Sequence, residues 1–167
     1  QGSAVNVTGS AGLSMNFGTV SGNVSAGKGA VYYNGSGAFE IRNRNQISDN
    51  TTPSGKKANV YLAQDKYITV MSDLDTSQIG VTAEQLPLAS PGGISSQPSQ
   101  EVKIAVPSSS YPGAAGSCPF ADNFKADQEA GNSGVYVSAG TEILGNGRNA
   151  VLKRNGYTAV SYTHLTL

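Results

Sequence analysis

Hydrophobic residues in this chain recur at every second position rather than at every third or fourth. Val5 and Val7 alternate with polar residues, and Leu13, Met15 and Phe17 repeat the pattern a few residues later. Such alternation is typical of strands that bury one face and expose the other. Because the pattern continues through most of the sequence, we predict an all-β protein.

About ten short strands are predicted in all, at the spacing expected of a sandwich or barrel. Beyond the first two, they are expected at residues 30–33, 38–42, 58–62, 67–72, 80–83, 101–106, 134–138, 150–153 and 157–162. Three Asn-Gly dipeptides follow or separate strands: Asn34-Gly35, Asn146-Gly147 and Asn155-Gly156. This dipeptide favours the tight type I′ turn of a hairpin. We therefore predict an antiparallel, Ig-like or jelly-roll-type β-sandwich that forms a single domain over residues 1–167.

One segment departs from the alternation. Phe120, Ala121 and Phe124 have helical spacing after Pro119, which predicts one short helix near residues 119–130. Residues 89–100 are rich in proline, glycine and serine and are expected to form a long surface loop, and residues 48–57 a second one. No internal repeat is evident.

The charge balance excludes several classes of protein. Eleven basic residues balance eleven acidic ones, so the positive surface that nucleic-acid binding requires is missing. No apolar run reaches the ~18 residues of a membrane-spanning helix.

Charged residues make up 13% of the chain, well below the ~25% of typical soluble domains. Together with the many hydroxyl residues, this composition predicts a secreted protein, extracellular or at the cell surface. The sequence has no nucleotide-binding motif and no set of zinc ligands, so we predict no cofactor.

Residues with catalytic potential are few. His164 lies close to the C-terminal end of the sequence, a poor place to hold catalytic geometry. Cys118 is the single cysteine and is interpreted as a small buried hydrophobe, with a nucleophile as the alternative. The carboxylate pairs Asp73 with Asp75 and Asp127 with Glu129 could serve glycoside hydrolysis, but the chain has no tryptophan to support a sugar. We therefore predict that the protein is not an enzyme.

Two further patterns involve ligands or modifications. Asp73 and Asp75 resemble the start of a calcium loop, and Glu84 is at the twelfth position, but Gln78 replaces the glycine needed at the sixth. We keep this pair as a weak calcium candidate and predict no metal site. Four asparagines stand in glycosylation sequons: Asn6, Asn23, Asn34 and Asn50.

The segment Leu13–Val20 is the main candidate for a functional element. Its large apolar side chains share one face of an extended strand, which can add to a neighbour's sheet. We name as assembly residues Leu13, Met15, Phe17 and Val20, and residues 1–20 as a candidate donor-strand arm. Pairing of the same strand within its own sheet is the open alternative.

The run from Asn16 to Val20 resembles the opening strand of bacterial secreted fimbrial and spore-coat-like β-sandwich domains. The paired cysteines common in such pilins are absent. The resemblance implies a structural subunit of an extracellular filament, pilus or surface layer, with other copies or other surface subunits as partners. The alternative function is a carbohydrate-binding or surface- or capsid-decorating module. Its candidate sugar platform consists of Tyr32, Tyr33, Tyr61, Tyr67 and Tyr111.

Overall fold

The protein is almost entirely β-structure. The computed structural model describes residues 2–85, 101–112, 116–127, 132–133, 136–138, 141–154 and 157–159. The strands are β1 (Val5–Val7), β2 (Leu13–Val20), β3 (Val31–Tyr33), β4 (Phe39–Ile47), β5 (Val60–Leu62), β6 (Ile68–Val70), β7 (Gln78–Ala83), β8 (Val102–Pro107), β9 (Phe124–Ala126), β10 (Asn132–Ser133), β11 (Tyr136–Ser138), β12 (Thr141–Asn146), β13 (Asn149–Arg154) and β14 (Tyr157–Ala159). The predicted all-β class is confirmed.

The first nine strands pair in parallel with strands from the next turn of the chain. Val5 pairs with Val31 and Val31 with Val60, so the chain returns to the same ladder after 26 residues (5 to 31) and then 29 residues (31 to 60). Strands that stack this way wind the chain into successive coils, as in a β-solenoid.

Three parallel ladders run along the stack of coils. The first contains β1, β3, β5 and the end of β7. The second contains the starts of β2 and β4, followed by β6 and β8. The third contains the ends of β2 and β4, the start of β7, and β9.

The core lies inside the coils, where equivalent side chains stack from one coil to the next. The paired residues at these positions are almost fully buried: Val31, Val60 and Val81 in the first ladder, Phe39, Ile68 and Ala105 in the second, and Ile47, Ile79 and Phe124 in the third. Their alternation with outward-facing polar residues is the period-two pattern of the sequence.

The antiparallel pairing predicted for the whole sheet is found in part of it, because the ladders among β1–β9 are parallel. Among the described residues, antiparallel ladders occur where β13 joins β8 to β12 and in the small sheet β10–β11–β14. Alternation reveals that a strand buries one face, but it does not identify the strand that pairs with it. Here the buried faces meet inside a closed coil, not between the two layers of a sandwich.

The dipeptide Asn34-Gly35 does not form the predicted hairpin. β3 and β4 pair with strands of neighbouring coils, and neither Asn34 nor Gly35 has a positive φ. Gly35 instead packs against the backbone of Ala11 in the preceding coil. A side chain at Gly35 would collide with the Ala11 carbonyl oxygen. The glycine is needed for close backbone approach, not for a turn.

Asn146-Gly147 does lie in a hairpin, as predicted. β12 and β13 pair antiparallel with Asn146 opposite Asn149, and Gly147 has φ +57°. The two loop residues are Gly147 and Arg148, so the dipeptide sits one residue earlier than expected. Asn155-Gly156 lies outside the described residues.

Over residues 119–127, the described part of the predicted helix at 119–130, the structure has one 3-10 turn at Ala121–Asn123. Phe124 begins β9 and pairs with Ile79. The turn and the strand that follows it bury Phe120 and Phe124, and the ladder with β7 supplies main-chain hydrogen bonds. Residues 48–57 leave the coil as a loop, with Thr52 N–H donating to the Lys56 carbonyl at 2.8 Å. The loop expected at 89–100 lies outside the described residues.

Candidate functional site

Strand β2 lies at an edge of the solenoid. It pairs with β4 along most of its length, and no strand among the described residues pairs with its other edge. β1 likewise has β3 as its one partner among the described strands. Residues 5–7 and 13–20 therefore belong to the chain's own sheet, not to a detached donor arm. The coil formed by β1 and β2 is here called the first coil, that formed by β3 and β4 the second, and that formed by β5, β6 and the start of β7 the third. In the described part of the chain, the first coil presents unpaired strand edges.

The direction of the main-chain groups on this edge follows from the hydrogen bonds to the second coil. The N–H of Leu13 donates to the Ala38 carbonyl at 2.9 Å, and the N–H of Val5 donates to the Ala30 carbonyl at 2.9 Å. Peptide groups of successive strand residues point to opposite sides. The N–H groups of Ser14 and Asn6 therefore face the unpaired edge.

The four proposed assembly residues do not share one face. Leu13, Met15 and Val20 are partly buried and pack against the core, whereas the Phe17 side chain is 69% exposed. Phe17 has φ +57°, and the pairing register shifts between Asn16 and Gly18. This left-handed residue interrupts the alternation and turns the Phe17 ring outward.

The five tyrosines proposed as a sugar-binding platform do not form one continuous surface. Tyr32 and Tyr61 are neighbours on the outer face of the first ladder, with ring centroids 5.8 Å apart. The Lys28 ammonium lies 4.8 Å from the Tyr61 ring centroid and 2.5 Å from a Glu84 carboxylate oxygen. Tyr33 and Tyr111 are buried in the core, and Tyr67 is exposed beside Lys103. Of the five proposed sugar-binding residues, the structure thus brings two together on one surface.

A network of amide side chains that the sequence analysis did not identify links the coils. The Asn50 side chain accepts from the Asn23 N–H at 3.0 Å and donates to the Val20 carbonyl at 2.8 Å. It also donates to Asn59 Oδ1 at 2.8 Å, and Asn59 Nδ2 donates to Asp127 Oδ2 at 2.9 Å. Two sequon asparagines thus serve as structural hydrogen-bonding groups.

Asp127 ends this network with a carboxyl group whose pKa is raised. Burial penalises the charged form and is the main cause, while hydrogen bonds from the backbone and side chain of Asn59 oppose it. Because its pKa is higher in the folded than in the unfolded protein, this group's contribution to stability is complete below the unfolded pKa. That contribution is lost as the pH rises through the folded value.

We expect Asp127→Asn to gain stability relative to the wild type as the pH rises from about 4, the unfolded value, towards neutrality. The asparagine cannot ionise, so the desolvation cost of the charged form disappears. Urea unfolding of both proteins at several pH values measures the difference in free energy of unfolding. A difference that stays constant or falls with pH would contradict this assignment.

The other candidate metal-binding and catalytic residues that the structure describes show no sign of such chemistry. Asp73 Oδ1 accepts the N–H of Asp75 at 3.1 Å, and in the described part of the chain no group of three or more potential metal ligands occurs. Cys118 is half-buried, and burial raises the pKa of its thiol, which disfavours the nucleophilic thiolate. Glu129 and His164 lie outside the described residues.

The four sequons differ in accessibility. Asn6 and Asn34 are exposed, Asn23 is half-buried, and Asn50 is fully buried. The folded chain therefore presents Asn6 and Asn34 on its surface, whereas Asn50 is inaccessible to a glycosylating enzyme.

No helix in the described residues is long and apolar enough to cross a membrane. Comparison with known proteins adds no relative: no family model, curated protein or solved structure matches this chain.

Proposed function

We propose that the protein is a secreted structural subunit of an extracellular filament or surface layer, in which copies join end to end by β-strand addition. The observation that carries the proposal is that β1 and β2, on the first coil, each have one edge that no described strand pairs with. An unpaired edge is a template for another strand, because its N–H and C=O groups lack partners.

The partner we propose is a second copy of this chain. Inside the molecule, neighbouring coils of similar shape already pair edge to edge, as β4 does with β2 and β6 with β4. A strand from another copy would extend the same ladder beyond β2. The formal net charge is zero, so successive copies would not repel one another.

Side chains on the first coil support the same proposal. Leu13, Met15 and Val20 are partly buried against the core, and a further strand would remove more of their apolar surface from water. Burying such surface contributes about 25 cal/mol per Å². Main-chain hydrogen bonds would determine the direction in which copies are added. Packing of these side chains would determine the register in which the strands pair.

Ser14→Pro is expected to abolish assembly while leaving the monomer folded. Proline removes the Ser14 N–H, which faces the unpaired edge, and this is the edge position at which strands tolerate proline. The matched control is Ser14→Thr, which keeps the N–H and favours a strand. Light scattering and electron microscopy of both variants and the wild type measure assembly, and circular dichroism checks the fold.

If Ser14→Pro forms the same assemblies as the wild type, the copies associate through a surface other than the β2 edge. A wild-type protein that stays monomeric at all concentrations would remove the basis for the proposal.

A further inference from the structure

A polar groove runs along the side of the solenoid and begins at β2, the strand whose free edge the proposed assembly uses. Its volume is about 530 Å³, and it crosses three coils. Phe17 and Thr19 line it from the first coil, Arg44 and Gln46 from the second, and Thr76 from the third. Since strands in neighbouring coils lie about 4.8 Å apart, the groove extends over roughly 10 Å along the axis.

Phe17 is the unusual residue of this groove. Each of the first three coils has a residue of positive φ at the corner between the second and third ladders: Phe17 (+57°), Asn43 (+58°) and Asp75 (+47°). Asparagine and aspartate tolerate this conformation, whereas a bulky aromatic residue does not. The ring is also 69% exposed, so packing does not compensate the strain. Strained residues of this kind cluster at ligand-binding sites.

Arg44 gives the groove its charge. It is the charged residue among those that line the groove, and within the described part of the chain no carboxylate forms an ion pair with it. Arg42, two residues away on the same strand, instead lies 3.7 Å from a Glu40 carboxylate oxygen. A guanidinium group binds carboxylates through two parallel hydrogen bonds. The groove is therefore complementary to an anionic ligand.

We infer that this groove binds a linear carbohydrate built from uronic acid units. A sugar ring has an apolar C–H face, which the exposed Phe17 ring can cover, and a rim of hydroxyl groups. Gln46, Thr19 and Thr76 supply the amide and hydroxyl partners for that rim, and Arg44 binds the carboxylate. Polar side chains outnumber the one aromatic ring in this groove, which suits a ligand rich in hydroxyl and carboxylate groups. A linear ligand fits because the groove follows the axis across several coils.

The test uses oligogalacturonate and its methyl ester, which has the same sugar ring without the negative charge. Calorimetry on the purified chain is expected to show binding of the acid and weaker binding of the ester. Phe17→Asn should weaken binding of both by at least about tenfold. Arg44→Gln should weaken binding of the acid by at least about tenfold and remove the preference over the ester.

Two controls separate the ligand site from the fold and from assembly. Arg42→Gln removes the same charge from the same strand outside the groove and should bind as the wild type does. Phe17→Asn should unfold at a temperature no lower than the wild type, because asparagine suits the left-handed conformation. Ser14→Pro should retain binding, so a failure of assembly and a failure of this site are distinguishable. No binding of the acid, equal binding of acid and ester, or binding unaffected by Phe17→Asn and Arg44→Gln would overturn the inference.

Discussion

Replacing Gly35 by alanine is expected to destabilise the protein by about 4 kcal/mol or more, or to prevent folding. The added Cβ would overlap the carbonyl oxygen of Ala11 and lie 3.1 Å from a Val7 methyl carbon. The backbones of Gly37 and Gly12 also approach each other closely, since a Cβ on Gly37 would lie 2.7 Å from the Gly12 nitrogen. The obstacle is backbone, which cannot rotate away as a side chain can. Chemical denaturation of the purified variant measures the loss.

Gly27→Ala is the matched control. A Cβ at Gly27 has no neighbour closer than 3.6 Å, and its φ is not positive. We expect this variant to stay within about 0.5 kcal/mol of the wild type. A Gly35→Ala protein as stable as Gly27→Ala would show that the first and second coils are not stacked this closely.

Asn50→Ala is expected to lower the free energy of unfolding by about 3 kcal/mol. The change leaves the Val20 and Ser48 carbonyls and the Asn23 N–H without the partner that Asn50 provides. Each buried polar group left unsatisfied costs about 1–3 kcal/mol, and Asn50 is fully buried. The loss is measured by equilibrium unfolding in urea.

Asn34→Ala serves as the comparison, because Asn34 is exposed and its side chain makes no hydrogen bond within the described residues. We expect a change within about 0.5 kcal/mol. If both variants lose the same stability, the amide network does not hold the coils together as described.

The sequence predicted which residues face inward but not which strands pair. Val31, Ile41 and Ile68 belong to strands that were expected, and their side chains are buried as the alternation indicates. The partner of each strand is set by distant residues, and a ladder between Val5 and Val31 leaves no local signal. The coils also differ in length and sequence, which explains why no repeat was evident. Asn-Gly pairs were ambiguous because glycine serves both turns and close backbone contacts.

The candidate site was only partly predictable for a related reason. β2 was identified as the key strand, and Leu13 and Met15 lie on one face as expected. The outward turn at Phe17 was not foreseen, because alternation assumes that every residue stays extended. Nothing in the sequence marks Arg44, because an arginine on a polar strand is ordinary, and only the fold places it in one groove with Phe17. Asn50 is a candidate glycosylation site by its sequon, but a sequon carries no information on burial, and the fold buries it.

End-to-end strand addition fixes the direction of the strands within an assembly, and fibre diffraction measures that direction. Strands of a solenoid lie across its axis and are about 4.8 Å apart along it. Oriented wild-type filaments should therefore give a reflection near 4.8 Å on the meridian, and Ser14→Pro should give no filaments. Filaments with this reflection away from the meridian, or a protein that remains monomeric, would contradict assembly through the first coil.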